Sequence, residues 1–205
     1  PSRSPEDLLE VFTLLNWAAL TLAESGRAAH PDHASAIERI APTLRALRHA
    51  DGGLARFHGG GRGAEGRLDQ ALATSGVRAG LRSGLAMGFA RLHGGRTSLI
   101  MDAAPPPEGE AAHGAHASTL AIEVTSGRRP LIVNCGSGAE FGADWHKAGR
   151  ATPSHSVLGL DGVSSARLVG EGEAMRLVGG SHDVHAQWLL DDGITGIIAG
   201  HDGYM

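Results

Sequence analysis

At about residue 52 the hydrophobic period of this chain changes from that of a helix to that of a strand, and few architectures accommodate such a change. Before it, "SRSPEDLLEVFTLLNWAALTLAESG" places Ser4 as an N-cap, Pro5 at the first helical position and Glu6 and Asp7 in the first turn. Leu8, Val11, Leu15, Ala18 and Leu22 then repeat at helical spacing, and Gly26 stops the run. A second helix is predicted in "HASAIERIAPTLRALRH", with Ile37, Ile40, Leu44 and Leu47 on one stripe, a kink at Pro42 and an end at Gly52 and Gly53. Two such helices joined by a short loop make an antiparallel helical hairpin.

From residue 85 the apolar residues alternate. "GLAMGFARLHGGRTSLIMDA" reads as two strands about "HGGR", and "STLAIEVTSGRRPLIVNCG" as two more about "TSGRR". Leu120, Ile122 and Val124 are predicted on the packed face, with Thr119, Ala121 and Glu123 on a mixed one. "HSVLGLDG", "SARLVGEGEAMRLVGG", "HAQWLLDDG" and "TGIIAG" continue the pattern. The chain has 31 glycines in 205 residues, about twice the usual share, which suits many tight turns between short strands. The predicted fold is α+β and mainly β: a helical hairpin over residues 1–50, a junction over 51–84 that includes a helical turn near Arg67 to Ala73, and an antiparallel β-sandwich over 85–205.

Composition narrows the partners. With 18 basic and 22 acidic residues the formal charge is −4, and no run of Lys and Arg forms a stripe, which argues against a nucleic-acid partner or an anionic membrane surface. "LLEVFTLLNWAALTLA" is broken by Glu10, Thr13, Asn16 and Thr21, so no membrane insertion is expected. The single cysteine, Cys135, is predicted to be a small buried hydrophobe. The start at Pro1 and the end at "HDGYM" suggest a piece of a longer protein, of bacterial periplasm or cytoplasm, with any signal region outside it.

Seven stretches, taken in order, carry a resemblance: "PSRSPEDLLEV", "IAPTLRALRHADGGLARFHGG", "TSLIMDAAPPP", "AHASTLAIEV", "RRPLIVNCG", "HSVLGLDG" and "GHDGY". Together the chain resembles the heparinase II/III-like proteins, from the last helices of their α/α toroid into the first part of their β-sandwich. The resemblance implies a polysaccharide lyase acting by β-elimination on a uronic-acid polymer. That chemistry needs a group to neutralise the carboxylate, a base for the C5 proton and an acid for the leaving O4. The family supplies an Asn and a Tyr from the toroid and a His from the first sandwich strands, beside a structural zinc or other divalent metal held by two His and one Asp.

Carried onto this sequence, the family's His-x-His falls on "HGAHAST": His116 matches the second histidine, Gly114 takes the place of the catalytic first, and His113 is displaced by one residue. The metal trio becomes His116, Asn134 and His155, and Asn is a poor substitute for the carboxylate. The lone tyrosine, Tyr204, stands in "GHDGY"; "SRSPEDLLEV" has none. Catalytic candidates are therefore His113, His116 and Tyr204. Arg3 and Trp145 are candidates for binding an acidic polysaccharide, through the sugar carboxylate and by ring stacking. Each has a plainer alternative: a hydrogen-bonded structural histidine at 116 and 155, a solvated one at 113, an amide serving neighbouring groups at 134, a helix-pairing arginine at 3 and a packed tryptophan at 145. A non-catalytic glycan-binding or structural β-sandwich module stands beside the lyase as the second reading.

Overall fold

The structure, a computed structural model, describes residues 2–78, 80 and 84–205. Helix α1 spans Pro5–Glu24, and the Ser4 hydroxyl accepts from the Asp7 amide at 3.2 Å as the N-cap pattern predicts. Its buried face, however, is Leu9, Phe12, Thr13 and Asn16, one position on from the predicted stripe, and Val11 is half exposed. The displacement follows from two polar residues that find partners inside: Thr13 donates back to the Leu9 carbonyl at 2.7 Å, and Asn16 Nδ2 donates to the Ala71 carbonyl at 3.2 Å. Helix α2 (Pro31–Ala46) runs through Pro42 and buries Ile37 and Leu44, with Leu47 beside them. Helix α3 (Arg67–Ser75) occupies the predicted junction and buries Leu68, Ala71 and Leu72.

Strands β1 (Phe89–Gly94), β2 (Thr97–Asp102), β3 (Ile122–Ser126) and β4 (Arg129–Ile132) form an antiparallel sheet in that order, turning at the two predicted places. Two hairpins follow, β5 (Arg167–Val169) with β6 (Arg176–Val178), and β7 (Val184–Asp191) with β8 (Ile194–His201). The predicted strand in "HSVLGLDG" is replaced by turns and a single bridge between Leu160 and Val163. A short helix α4 (Ala143–Gly149), which periodicity did not suggest, stands between β4 and β5.

The four-stranded sheet is covered on both faces. Phe89, Ile100 and Ala121 join Leu9, Phe12, Leu44 and Phe57 of the helical region in the main core. Each fully buried aromatic there contributes on the order of 2–3 kcal/mol. On the opposite face Met101, Leu120 and Ile122 pack against Trp188 of β7 and Ile197 and Ala199 of β8. Sheet therefore lies on sheet, with helices beyond: an α+β chain whose strands build an antiparallel sandwich. The predicted packed face of β3 does pack, but the double cover buries the mixed face more deeply. Glu123 and Thr125 are buried, whereas Ile122 and Val124 are half-buried on the other face, Ile122 beneath the β7–β8 hairpin.

Candidate functional site

At the end of β2 the Asp102 carboxylate lies fully buried, and three side chains from separate parts of the chain converge on it. Arg3 donates to Oδ1, Ser118 Oγ donates to Oδ2 at 2.8 Å, and His58 Nε2 stands 3.1 Å from Oδ2. Burial alone would raise this carboxyl, but Arg3 and then His58 more than offset it and hold it below the ordinary carboxylate value. Arg3 is wholly committed. Besides Asp102 it donates to the carbonyls of Met87, Gly88, Ala104 and Pro105, and its guanidinium lies 4.7 Å from the centre of the Phe89 ring. The predicted sugar-binding arginine is thus a fastener between the start of α1 and the loop after β2, because a buried carboxylate leaves it no freedom to face solvent.

A chain of histidines begins at His58. The backbone N–H of His116 donates to His58 Nδ1 at 3.2 Å, which leaves the His58 proton on Nε2, facing Asp102. Burial lowers the His58 pKa, Asp102 opposes the shift and Arg3 reinforces it, so Arg3 carries the countercharge and His58 stays neutral, its Nε2 close to Oδ2 but outside hydrogen-bond geometry. His116 Nδ1 lies 3.0 Å from His155 Nε2, and His155 Nδ1 lies 2.9 Å from the Ala151 carbonyl. A carbonyl only accepts, so the His155 proton sits on Nδ1, its Nε2 accepts, and His116 donates through Nδ1. That leaves His116 Nε2 buried without a partner. Burial, then the neighbouring His155, push His116 well below the usual histidine value, and burial brings His155 to about 4. Arg150, fully buried, closes this region by donating to the carbonyls of Ala112, Ala115 and Met175 at 2.8–3.1 Å.

Asn134, the third member of the predicted metal trio, belongs to a different knot. Its Nδ2 donates to the Arg56 carbonyl at 3.3 Å and its Oδ1 accepts from the Ser156 amide at 2.9 Å. The Asn134 amide itself donates to Glu123, a buried carboxylate that also meets His49 at 2.8 Å and Arg56 at 3.3 Å. Two of the three positions meet, then, and the third has spent both polar atoms on backbone. Among the described residues no three His, Cys, Asp or Glu side chains converge as metal ligands. Two neutral imidazoles bonded to each other, an engaged amide and a nearby buried Arg150 do not fit a divalent ion.

The remaining candidates lie apart from this interior. His113 is exposed on the last residue of a 3-10 turn, Gly109–His113. Tyr204 donates its hydroxyl to the Leu158 carbonyl at 3.0 Å, with its ring 5.7 Å from that of His201. Trp145, on α4, is 65% exposed and Phe141 is 74% exposed, their rings 6.4 Å apart edge to face. Together with Cys135, Gly138, Ala148 and Ser154 they border a cleft of about 420 Å³. Gly138 makes this cleft possible: at φ +66° a Cβ would stand 2.4 Å from the Trp145 carbonyl. Cys135, predicted to be buried, is exposed on this cleft because β4 ends at Ile132 and the chain has left the sheet.

A family model described as Heparinase II/III-like, C-terminal, matches residues 76–205. The chain belongs to the heparinase II/III-like family. This is a polysaccharide-lyase-related family, and its C-terminal domain is the β-sandwich seen here. The chain is also 31% identical over 208 residues to FtsZ-localized protein C of Caulobacter vibrioides, a match that covers 99% of this chain and 36% of that protein. The chain therefore spans about a third of this relative's length.

Sequence reasoning missed His58, Asp102, Arg150 and the Glu123 knot. The signal was present for two of them: "RFHGG" and "IMDAA" stand in the stretches that carry the resemblance, yet nothing in either says that they meet across 44 residues of chain.

Proposed function

We propose that this chain is a glycan-recognition module of a heparinase II/III-like protein, one that engages an acidic polysaccharide without itself eliminating across the uronate. One observation carries the reading: Trp145 and Phe141 expose most of their rings at the lip of a cleft, the disposition by which aromatic faces take up sugar rings. The groups that elimination would need are spent elsewhere. His116 is buried and paired, Tyr204 holds the Leu158 carbonyl and Arg3 holds Asp102. The test is the affinity of the full-length protein for polyuronate and glycosaminoglycan chains before and after Trp145→Ala. A loss of about tenfold or more, with unfolding temperature unchanged, supports the reading; equal affinity overturns it.

A second reading comes from the relative, a protein named for its localisation with FtsZ. Its likeness covers nearly the whole chain, and α1 exposes an apolar stripe of Val11, Leu14, Trp17 and Leu20 of the kind that mediates protein contacts. On this reading the whole protein localises with FtsZ. Co-sedimentation of the full-length protein with FtsZ polymers, abolished by Trp17→Ala and Leu14→Ala together, would favour it over the glycan.

A further inference from the structure

We infer that the tips of the β1–β2 and β3–β4 hairpins form a carboxylate-binding cleft for the acidic polysaccharide, separate from the aromatic one. The inference rests on the glycan reading above and names the chemistry that would select a charged polymer over a neutral one. Antiparallel order places the two turns side by side: Thr97 pairs with Ser126, and the Gly127 amide donates to the Arg96 carbonyl at 2.6 Å. Three exposed arginines thereby gather from two distant parts of the sequence, Arg96 from one turn and Arg128 and Arg129 from the other. With Ser126, Pro130 and Leu131 they line an open cleft of about 770 Å³.

These arginines differ from the others around them. Arg48 is paired with Asp69, Arg62 with Asp51, Arg56 with Glu123 and Arg67 with Glu10. Among the described residues no ion pair includes Arg96, Arg128 or Arg129. In a chain with formal charge −4, three guanidiniums without an ion pair around one cleft set up a local positive field that the total charge conceals, although Arg128 also borders a neighbouring pocket that holds Asp51, Glu65 and Asp69. The site is built as well as charged. Gly127, at φ +57°, has the Arg96 guanidinium lying where a Cβ would be, 2.9 Å from Nη2, so any side chain there would displace it.

The ligand follows from the lining. Guanidinium forks bind planar carboxylates in two-point fashion. Pro130 and the exposed Leu131 offer an apolar wall suited to a sugar face, and among the described residues no aromatic ring on which a nucleobase would stack lines the cleft. Strand β4 and the three residues after it link the two clefts, since Arg129 borders one and Cys135 the other. Six residues of chain put them at most about 20 Å apart, within reach of one polymer.

The experiment titrates full-length protein with alginate oligomers, a neutral glucan of equal length and polyphosphate, over a range of salt. The expected result is alginate binding that weakens about tenfold or more in Arg96→Ala/Arg128→Ala/Arg129→Ala and loses most of its salt dependence. In the same assay Trp145→Ala should weaken binding but keep the salt slope. Alginate binding untouched by the triple substitution would overturn this inference and leave the glycan reading standing. No binding of alginate by the wild type would overturn this inference, and the glycan reading with it if heparan sulfate also fails to bind; equal binding of polyphosphate would reduce the cleft to an unselective polyanion site and overturn the carboxylate assignment.

Discussion

His116 Nδ1 donates to His155 Nε2 across 3.0 Å, and the two rings stand nearly perpendicular, at 76°. The bond uses the lone pair of His155 that a metal would otherwise take, and it holds only while His155 Nε2 is unprotonated. This pair, held from one side by the Ala151 carbonyl and hedged by Arg150 and His58 on the other, is the interior that locks the loop before β3 to the segment after α4.

Stability should fall in mild acid. A histidine whose folded pKa is depressed contributes stability above its unfolded value of about 6.5, and that contribution is lost as pH falls toward the folded value. For His155 the window runs from about 6.5 down to about 4. His155 alone should remove about 2 kcal/mol by pH 5, and His116 and His58 shift in the same direction. Urea unfolding at pH 7 and pH 5 measures it; equal midpoints would refute neutral burial of the pair.

His116→Ala leaves the His155 Nε2 lone pair and the His58 side of the cavity without their neighbour. The expected cost is about 2–3 kcal/mol, with the divalent-metal content of the purified protein the same as that of wild type. Elemental analysis beside thermal unfolding reads both, and a metal present in wild type and lost in the variant would show that His116 is a ligand after all.

Arg3→Ala strands a buried carboxylate. A loss of about 3–5 kcal/mol is expected, partly recovered in acid as His58 takes up a proton and supplies the missing charge. Arg3→Lys should rescue little, since one ammonium cannot serve Asp102 and four carbonyls at once. Glycan affinity, measured where the variant is still folded, should not change; a selective loss of affinity would return Arg3 to the binding surface.

Asn134→Asp restores the family's carboxylate and should harm the fold. Asn134 donates through Nδ2 to the Arg56 carbonyl, and an aspartate would set two acceptors against each other close to buried Glu123. A destabilisation of about 1–3 kcal/mol is expected, with added zinc giving no recovery. Zinc-dependent stabilisation in a thermal melt would instead mean that the trio needs only its carboxylate to bind.

The turns and the entry to α1 were legible because each is a local matter. "HGGR" and "TSGRR" carry the glycines that their turns require, and Ser4, Pro5, Glu6 and Asp7 are a helix start whatever lies around them. Which face of β3 is buried more deeply was not legible, because alternation tells which residues share a face but not which face is richer in partners. Glu123 lies inside because His49 and Arg56, far back in the chain, await it there. The same distance hides Asp102 from His58. Of the predicted site residues, His116 and His155 come together, Asn134 serves the neighbouring knot, and Trp145 stands exposed beside Phe141, an aromatic to which no motif drew notice. The arginine cleft was invisible for a further reason: its three members come from two turns, and a search for basic runs sees only a pair.

The most direct test is to incubate the full-length protein with heparan sulfate, alginate and other acidic glycans and follow binding and ultraviolet absorbance in the same samples. Saturable binding of at least one polymer with a flat absorbance trace is expected, because among the described residues no side chain of this interior is placed to take the C5 proton. A rising trace, the signature of the unsaturated uronate that β-elimination leaves, would contradict it and make the exposed His113 the first residue to substitute.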